Sequence, residues 1–306
     1  MKNKKYTDLN FNDNDNIVKE LEKLNSQNID LSNTNLKGSN LENINLVKAN
    51  LNDCDLSKSN LKNASLYGIN LEGSNLFKAD FKNANLNNSN LKNCNLLGVN
   101  FEGTKLRNVH WGPNYKVINE IEAELAYKKG ELDKSKEKYK EAEDIYREIK
   151  ISMQNQTLGE ETGKFFIREM IAKRKQLNRF SIERIGSKII ELTTGYGEKI
   201  SNIIFTIIGV IIFCMFIYGL EGIKYSDPIN GDRIIGFFTD DFKKFGLFNT
   251  LGNLFYFSVV VYSTVGFGEM LPIGPIGKSI MIFEGILGGL ILAILIIALY
   301  KKSMDR

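Results

Sequence analysis

Residues 29–108 repeat every five positions, and no other feature limits the fold of this chain so severely. A large apolar residue stands at Leu31, Leu36, Leu41 and every fifth position to Leu106, sixteen in all, with Leu in fourteen and Phe at Phe81 and Phe101. The residue two before each centre is small or β-branched, so both positions look inward. The residue just before the centre is Asn eleven times and Asp three times, and the two after it are mostly Lys, Asn, Gly, Ser or Glu. Those side chains are expected to face water. A strict period of five fits neither a 3.6-residue helix nor a two-residue strand, so the chain turns at every repeat. An ordinary globular domain is excluded here. So is a catalytic constellation, because the exposed rows hold Asn, Lys and Gly without His or clustered carboxylates.

The pattern, written out at Ala49-Asn50-Leu51-Asn52-Asp53 and Ala84-Asn85-Leu86-Asn87-Asn88, resembles the pentapeptide-repeat family. The resemblance implies a right-handed quadrilateral β-helix with four repeats per coil over residues 29–111. Four coils at the spacing of adjacent strands make a stub about 19 Å long. Cys54 and Cys94 then lie two coils apart on one face, about 10 Å, too far for a disulfide. Some members of the family imitate DNA with an acidic exterior. Residues 29–108 carry seven Asp or Glu against nine Lys or Arg, which argues for a spacer or docking platform instead. The net charge of +4 gives no general reason to expect nucleic acid as a partner.

Residues 1–28 read as a polar segment, and the first sixteen lack the apolar core of a signal peptide. The N-terminal half is therefore expected in the cytosol. Trp111-Gly112-Pro113 breaks the repeat beside the single His, His110, and is expected to cap the coil. Over residues 112–199 the pattern turns helical, with Ile121, Leu125, Leu132, Tyr139, Ala142, Ile145, Tyr146 and Ile149 at helix-compatible spacing. Ala126 to Gly130 leading into Tyr139 and Ala142 is similar to a tetratricopeptide helix pair. The plain expectation is a packed helical connector, with room for a cytosolic ligand or protein on the N-terminal half.

Residues 200–220 hold no ionised side chain and are long enough to cross a bilayer, as are residues 279–300, interrupted only by Glu284 and ending at Lys301-Lys302. These read as an outer and an inner helix. Lys173, Arg174, Lys175, Arg179, Arg184, Lys188 and Lys199 precede the first span, which sets the N-terminus inside, and two spans return the C-terminus to the same side. Between them, residues 221–248 are charged and read as an external turret. Residues 249–262 are apolar but too short to cross, which suits a re-entrant helix.

Thr264-Val265-Gly266-Phe267-Gly268 follows that helix. Non-helical backbone at membrane depth is tolerated only in protein or along a watery path. Gly266 and Gly268 permit an alternating backbone twist, so the C=O groups of Thr264, Val265, Gly266 and Phe267 and the Thr264 hydroxyl can replace an ion's water shell. The run from Ser258 through Gly268 resembles the pore signature of two-transmembrane potassium channels, and the likeness extends over residues 200–300. It implies a homotetramer around a K+ filter in the plasma membrane, with no cofactor beyond the permeant ion and no catalytic residue. Phe267 stands where the family usually has Tyr, and Glu269 where it usually has Asp. Neither filter position three nor four is the Asp of sodium-permeable relatives. Ser263, Glu269 and Glu284 are expected to support the filter, since an ionisable group within a span is a functional candidate by default. Gly288-Gly289 falls where family members carry a hinge glycine, with close helix packing as the competing role. Neither span has an Arg-rich row, so no voltage sensor is expected.

The expected architecture is thus multidomain: β-helix, α-helical connector, and an all-α pore domain over 200–306 with two spans and a re-entrant helix. A potassium channel with a regulatory or docking N-terminal half leads. A non-selective cation channel and a membrane-anchored interaction protein stand as alternatives.

Overall fold

A computed structural model describes residues 14–154, 156, 159–227 and 231–304. The signal-peptide reading rests mostly on residues outside this set. The chain divides into two compact units at Lys188/Ile189.

In the first unit, every repeat from residue 33 to 108 places the second residue after its centre at a φ between 55° and 74°. The next amide donates back to the centre's carbonyl, as Ser39 N does to Leu36 O and Ala49 N to Leu46 O. Only the third turn residue has positive φ, the type II pattern that favours Gly or Asn there. Five of these positions are Gly and seven Asn, which explains a compositional regularity that hydropathy alone leaves unexplained. Twelve parallel bridges, from Asn35↔Asp55 to Asn90↔His110, each join residues 20 apart, so one coil is four repeats. The centres fill the interior: Leu41, Leu46, Phe81, Leu86 and Leu106 are fully buried.

The Asn residues before each centre correct the expectation that they simply face water. Asn35, Asn40 and Asn45 in the first coil are exposed, but those from Asn50 to Asn100 are half-buried, and several of them form ladders that run from coil to coil. Asn50 Nδ2 donates to Asp30 Oδ1 at 2.8 Å, Asn70 to Asn50 at 2.8 Å and Asn90 to Asn70 at 3.0 Å. An amide donates and accepts at once, so each rung satisfies the next. Cys54 and Cys94 belong to the inner row with Thr34 and Ser74, and their thiols donate to Leu31 O and Leu71 O.

Both ends of the coil are covered. Helix α1 (Asn14–Ser26) buries Ile17, Leu21 and Leu24 in the same core as Leu31 and Leu36. Its Glu22 accepts from Asn45 N at 2.8 Å. The sequence reading names no element here, although Ile17, Leu21 and Leu24 keep helical spacing. At the other end Trp111 packs edge-on against Phe101 and Phe165, with ring centroids 6.4 and 5.2 Å away. Helices α2 (Ile118–Lys128) and α3 (Leu132–Gln154) form a hairpin, and α4 (Gly159–Gln176) packs on α3. Ser152 Oγ on α3 donates to Phe101 O at 2.7 Å, which ties the connector to the last coil. Inside the connector, buried Glu120 accepts from Tyr146 OH at 2.5 Å and pairs with Arg168 at 3.3 Å. Helix α5 (Ile182–Thr194) follows.

The second unit is built from α6 (Ile200–Glu221), α7 (Asp240–Tyr262) and α8 (Pro275–Met304). All three are long and apolar enough to cross a membrane. Gly246, at φ 76° and ψ 177°, breaks α7 and leaves residues 247–262 as its continuous part. The charged segment between α6 and α7 is more ordered than the sequence suggests. Strand β1 (Ile223–Asp227) pairs antiparallel with β2 (Gly231–Ile235) and with β3 (Met270–Pro272), in the order β2-β1-β3. Arg233 on β2 grips Asp241 at the start of α7 with two bonds, 2.8 and 2.9 Å, the fork geometry of a guanidinium on a carboxylate. Cys214, Tyr218, Leu254, Phe257 and Met270 share one core, and Ile203, Ile211, Tyr262, Ile291 and Ala298 another.

Candidate functional site

Helix α7 ends at Ser263, whose amide still donates to Val259 O at 2.9 Å. The backbone then alternates: φ is positive at Thr264 (59°), Gly266 (57°) and Gly268 (78°), and at neither residue between. Two of the three are glycines, for which that region costs nothing. Thr264 is β-branched, so its left-handed φ is an outlier that the surrounding structure must hold in place. Its hydroxyl donates to Ser263 O at 2.7 Å, leaving the oxygen's lone pairs open. Val265 and Phe267 are 55% and 66% exposed in the single chain.

Glu269, just beyond, is held from two sides. Its carboxylate accepts from Tyr256 OH on α7 at 2.6 Å, and its carbonyl from Ser226 N on β1 at 3.0 Å. Strand β3 carries the chain onward against β1, so the sheet anchors the exit of the alternating segment. Ser263 Oγ reaches back to Val260 O at 3.2 Å.

Glu284 on α8 is fully buried. It accepts from Ser258 Oγ on α7 at 2.5 Å and from Tyr218 OH on α6 at 2.7 Å, so one carboxyl clasps all three helices. Ser258 Oγ also lies 3.0 Å from Ile211 O. A buried acceptor with two hydroxyl partners is stable where an unpaired one is costly. The two glycines of α8 differ. A Cβ at Gly288 would lie 2.2 Å from the Tyr262 carbonyl oxygen, whereas nothing lies within 4 Å of one at Gly289. Gly288 is therefore where the backbone of α8 approaches the backbone at the end of α7, close packing in the plainest sense.

Sequence reasoning brings Ser263, Glu269 and Glu284 forward but misses Tyr256, Tyr218 and Ser258. A hydroxyl within an apolar helix has no neighbours in sequence that betray its partner, which here stands 13, 66 and 26 residues away.

With this geometry in hand, two family models match separate segments of the chain, one of pentapeptide repeats and one of an ion channel domain. The family model "Ion channel" matches residues 233–302. The model "Pentapeptide repeats" matches residues 27–63, 54–93 and 74–110, and that block is made of such repeats. Among solved structures the chain is similar to HetL of Nostoc, a pentapeptide repeat protein involved in heterocyst differentiation regulation, at 29% identity and TM-score 0.26. The match covers 26% of this chain and 38% of HetL, well under two thirds of that protein's length. It is also similar to alr5209 of Nostoc (31% identity, 30% of this chain, 83% of that one, TM-score 0.28). A third is Rfr23 of Cyanothece (41% identity, 26% and 55%, TM-score 0.17). No curated protein matches the chain.

Proposed function

We propose that the chain is one subunit of a homotetrameric, potassium-selective channel of the plasma membrane, conducting passively. The observation that carries the reading is the alternation of φ at Thr264, Gly266 and Gly268 in a segment clasped between α7 and β3. Peptide planes that flip in turn can direct successive carbonyls of Thr264, Val265, Gly266 and Phe267 to one side, with the Thr264 hydroxyl below them. Four chains around an axis would then offer stacked oxygen cages to a dehydrated K+ ion. Glu269, Ser263 and Glu284 hold the segment from behind.

In this reading α6 and α8 span the bilayer and α7 is re-entrant. The unbroken part of α7, residues 247–262, is about 24 Å long against roughly 30 Å of hydrocarbon. Basic residues before α6, and Lys301 and Lys302 at the end of α8, favour both flanks on the cytosolic side. The pentapeptide repeats form a right-handed quadrilateral β-helix there, which gates, assembles or docks the pore, and no part of the chain is catalytic.

The test is the reversal potential of purified protein in planar bilayers under K+ and Na+ gradients. A shift that follows K+ supports the proposal. Equal permeability leaves a non-selective cation pore, and absence of flux from an intact oligomer leaves a membrane-anchored interaction protein. Gly266→Ala, which disfavours the left-handed φ, is expected to abolish conduction or K+ preference.

A further inference from the structure

Helix α5 turns its apolar side outward, the reverse of a helix that packs on a water-soluble domain. Ile182, Ile185, Ile189 and Leu192 recur at helical spacing and form one stripe, each between 51% and 85% exposed in the single chain. Arg184, Ser187 and Glu191, on the opposite side of the helix, are half-buried. An apolar stripe of this kind, open to water, marks a surface that something apolar covers.

The way α5 joins α6 indicates the cover. Ser201, Asn202 and Thr206 interrupt the apolar run of α6, and two of them reach α5. Asn202 Nδ2 donates to Leu192 O at 3.2 Å, and Thr206 Oγ1 donates to Thr193 O at 2.8 Å. The last carbonyls of a helix have no partner within it, and here the first two turns of α6 supply the donors. Helix α5 therefore ends beside the stretch where α6, read as a span, enters the bilayer. Between the two, Gly195, Tyr196 and Gly197 hold φ at 57°, 58° and 82°, so α6 starts as a separate helix instead of prolonging α5. Glu198 in that turn accepts from Lys301 Nζ at 2.8 Å, which brings the end of α8 to the same place. The charge fits one kind of bilayer. Residues 173–199 carry seven Lys or Arg against three Glu, a formal charge of +4. Arg179 and Lys199, on either side of α5, are exposed. Long basic side chains lay their stems along apolar surface and keep their heads at the depth of lipid phosphates.

We propose that α5 lies in the headgroup layer of an anionic leaflet, with Ile182, Ile185, Ile189 and Leu192 at the acyl boundary and the neighbouring Lys and Arg on lipid phosphates. The chain then meets the membrane in two ways, through its spans and through a helix on the surface. The proposal rests on α6 crossing a bilayer and not on what the pore conducts.

Site-directed fluorescence on the full chain tests it, since Cys54, Cys94 and Cys214 are buried and leave an added thiol to be labelled selectively. Bimane is placed at Ile189→Cys, at Ser187→Cys, about 160° round the helix from it, or at Phe213→Cys, exposed on α6. The protein is reconstituted in vesicles of phosphatidylcholine and phosphatidylglycerol, with a doxyl quencher near the top of the acyl chain. Quenching is expected to be at least about threefold stronger at Ile189→Cys than at Ser187→Cys. Doxyl carried on phosphatidylglycerol is expected to quench Ile189→Cys about twofold more than the same mole fraction carried on phosphatidylcholine. Quenching of Ile189→Cys by aqueous iodide alone puts the stripe in water and overturns the proposal. Quenching by neither agent puts it against protein, a second copy included, and also overturns it, as does equal quenching by the two lipid carriers. If Phe213→Cys is quenched by lipid and Ile189→Cys is not, the surface helix fails while the span stands. If Phe213→Cys is not quenched either, both fall together. Should Ile189→Cys not fold, Leu192→Cys on the same stripe carries the test with the same outcomes.

Discussion

Alanine at Gly288 and at Gly289 should have opposite effects, and the contrast separates packing from bending. Both residues lie within one helix, so replacing either by Ala gains about 1 kcal/mol of helix propensity. That term cancels between the two variants. What differs is space. At Gly288 the new methyl would stand 2.2 Å from Tyr262 O, about 1 Å inside an ordinary carbon–oxygen contact, and the obstacle is backbone that cannot swing aside. Overpacking of this kind costs about 1–3 kcal/mol. At Gly289 no atom lies within 4 Å. Gly289→Ala should therefore melt above the parent chain, and Gly288→Ala should melt below Gly289→Ala by the overpacking cost alone. Differential scanning fluorimetry of both variants in one detergent reads the difference, and K+ flux from liposomes reads its consequence. Because Tyr262 ends the helix that leads into Thr264, Gly288→Ala should also lower flux, while Gly289→Ala should leave it intact. If the two variants melt together, or Gly289→Ala is the less stable, the packing argument fails. If both lose flux with no loss of stability, a hinge at the pair is the better account.

Tyr256→Phe removes the hydroxyl that Glu269 accepts and should shorten sustained K+ currents. Glu269→Ala should do the same, with the double variant no worse than either, since both changes delete one brace. Lys58→Asn should raise the melting temperature of the coil, because Lys58 holds φ 60° at a cost of about 1 kcal/mol that Asn largely avoids. Burial pushes the Cys54 thiol from 9.0 up to about 11 and the Cys94 thiol up to about 12. The unfolded chain releases these protons first as pH rises, so it binds fewer protons than the folded chain above pH 9.0. Stability should consequently fall between pH 9.0 and about 12, and Cys54→Ser with Cys94→Ser should flatten that part of the profile. Serine already occupies the same row at Ser74.

How much of this could be read beforehand depends on the range of the cause. The coil is dictated locally: a buried centre every five residues and a turn residue two places later recur so regularly that Leu36, Gly38 and their equivalents announce the fold. The start of α6 at Ile200 is equally plain, because Lys199 gives way there to unbroken apolar sequence. The Asn ladders were hidden, since a polar residue at the surface and one in a rung look alike until residues 20 apart are set side by side. Strands β1 to β3 were hidden too, in a charged segment whose pairing partner lies beyond α7. The alternation at Thr264, Gly266 and Gly268 was legible only at its two glycines. That Thr264 shares it follows from no propensity, and the clasp of Tyr218, Ser258 and Glu284 exists only once three separate helices meet.

The covered ends of the coil carry a consequence for assembly. A stack of parallel rungs left bare at its first or last layer would present unpaired N–H and C=O groups to any other stack and could grow into fibres by addition of further chains. With α1 laid over the first layer and Trp111, Phe165 and the α2–α3 hairpin over the last, that growth is blocked in both directions. Whatever neighbours this stub acquires must come to its flanks rather than stack on its ends.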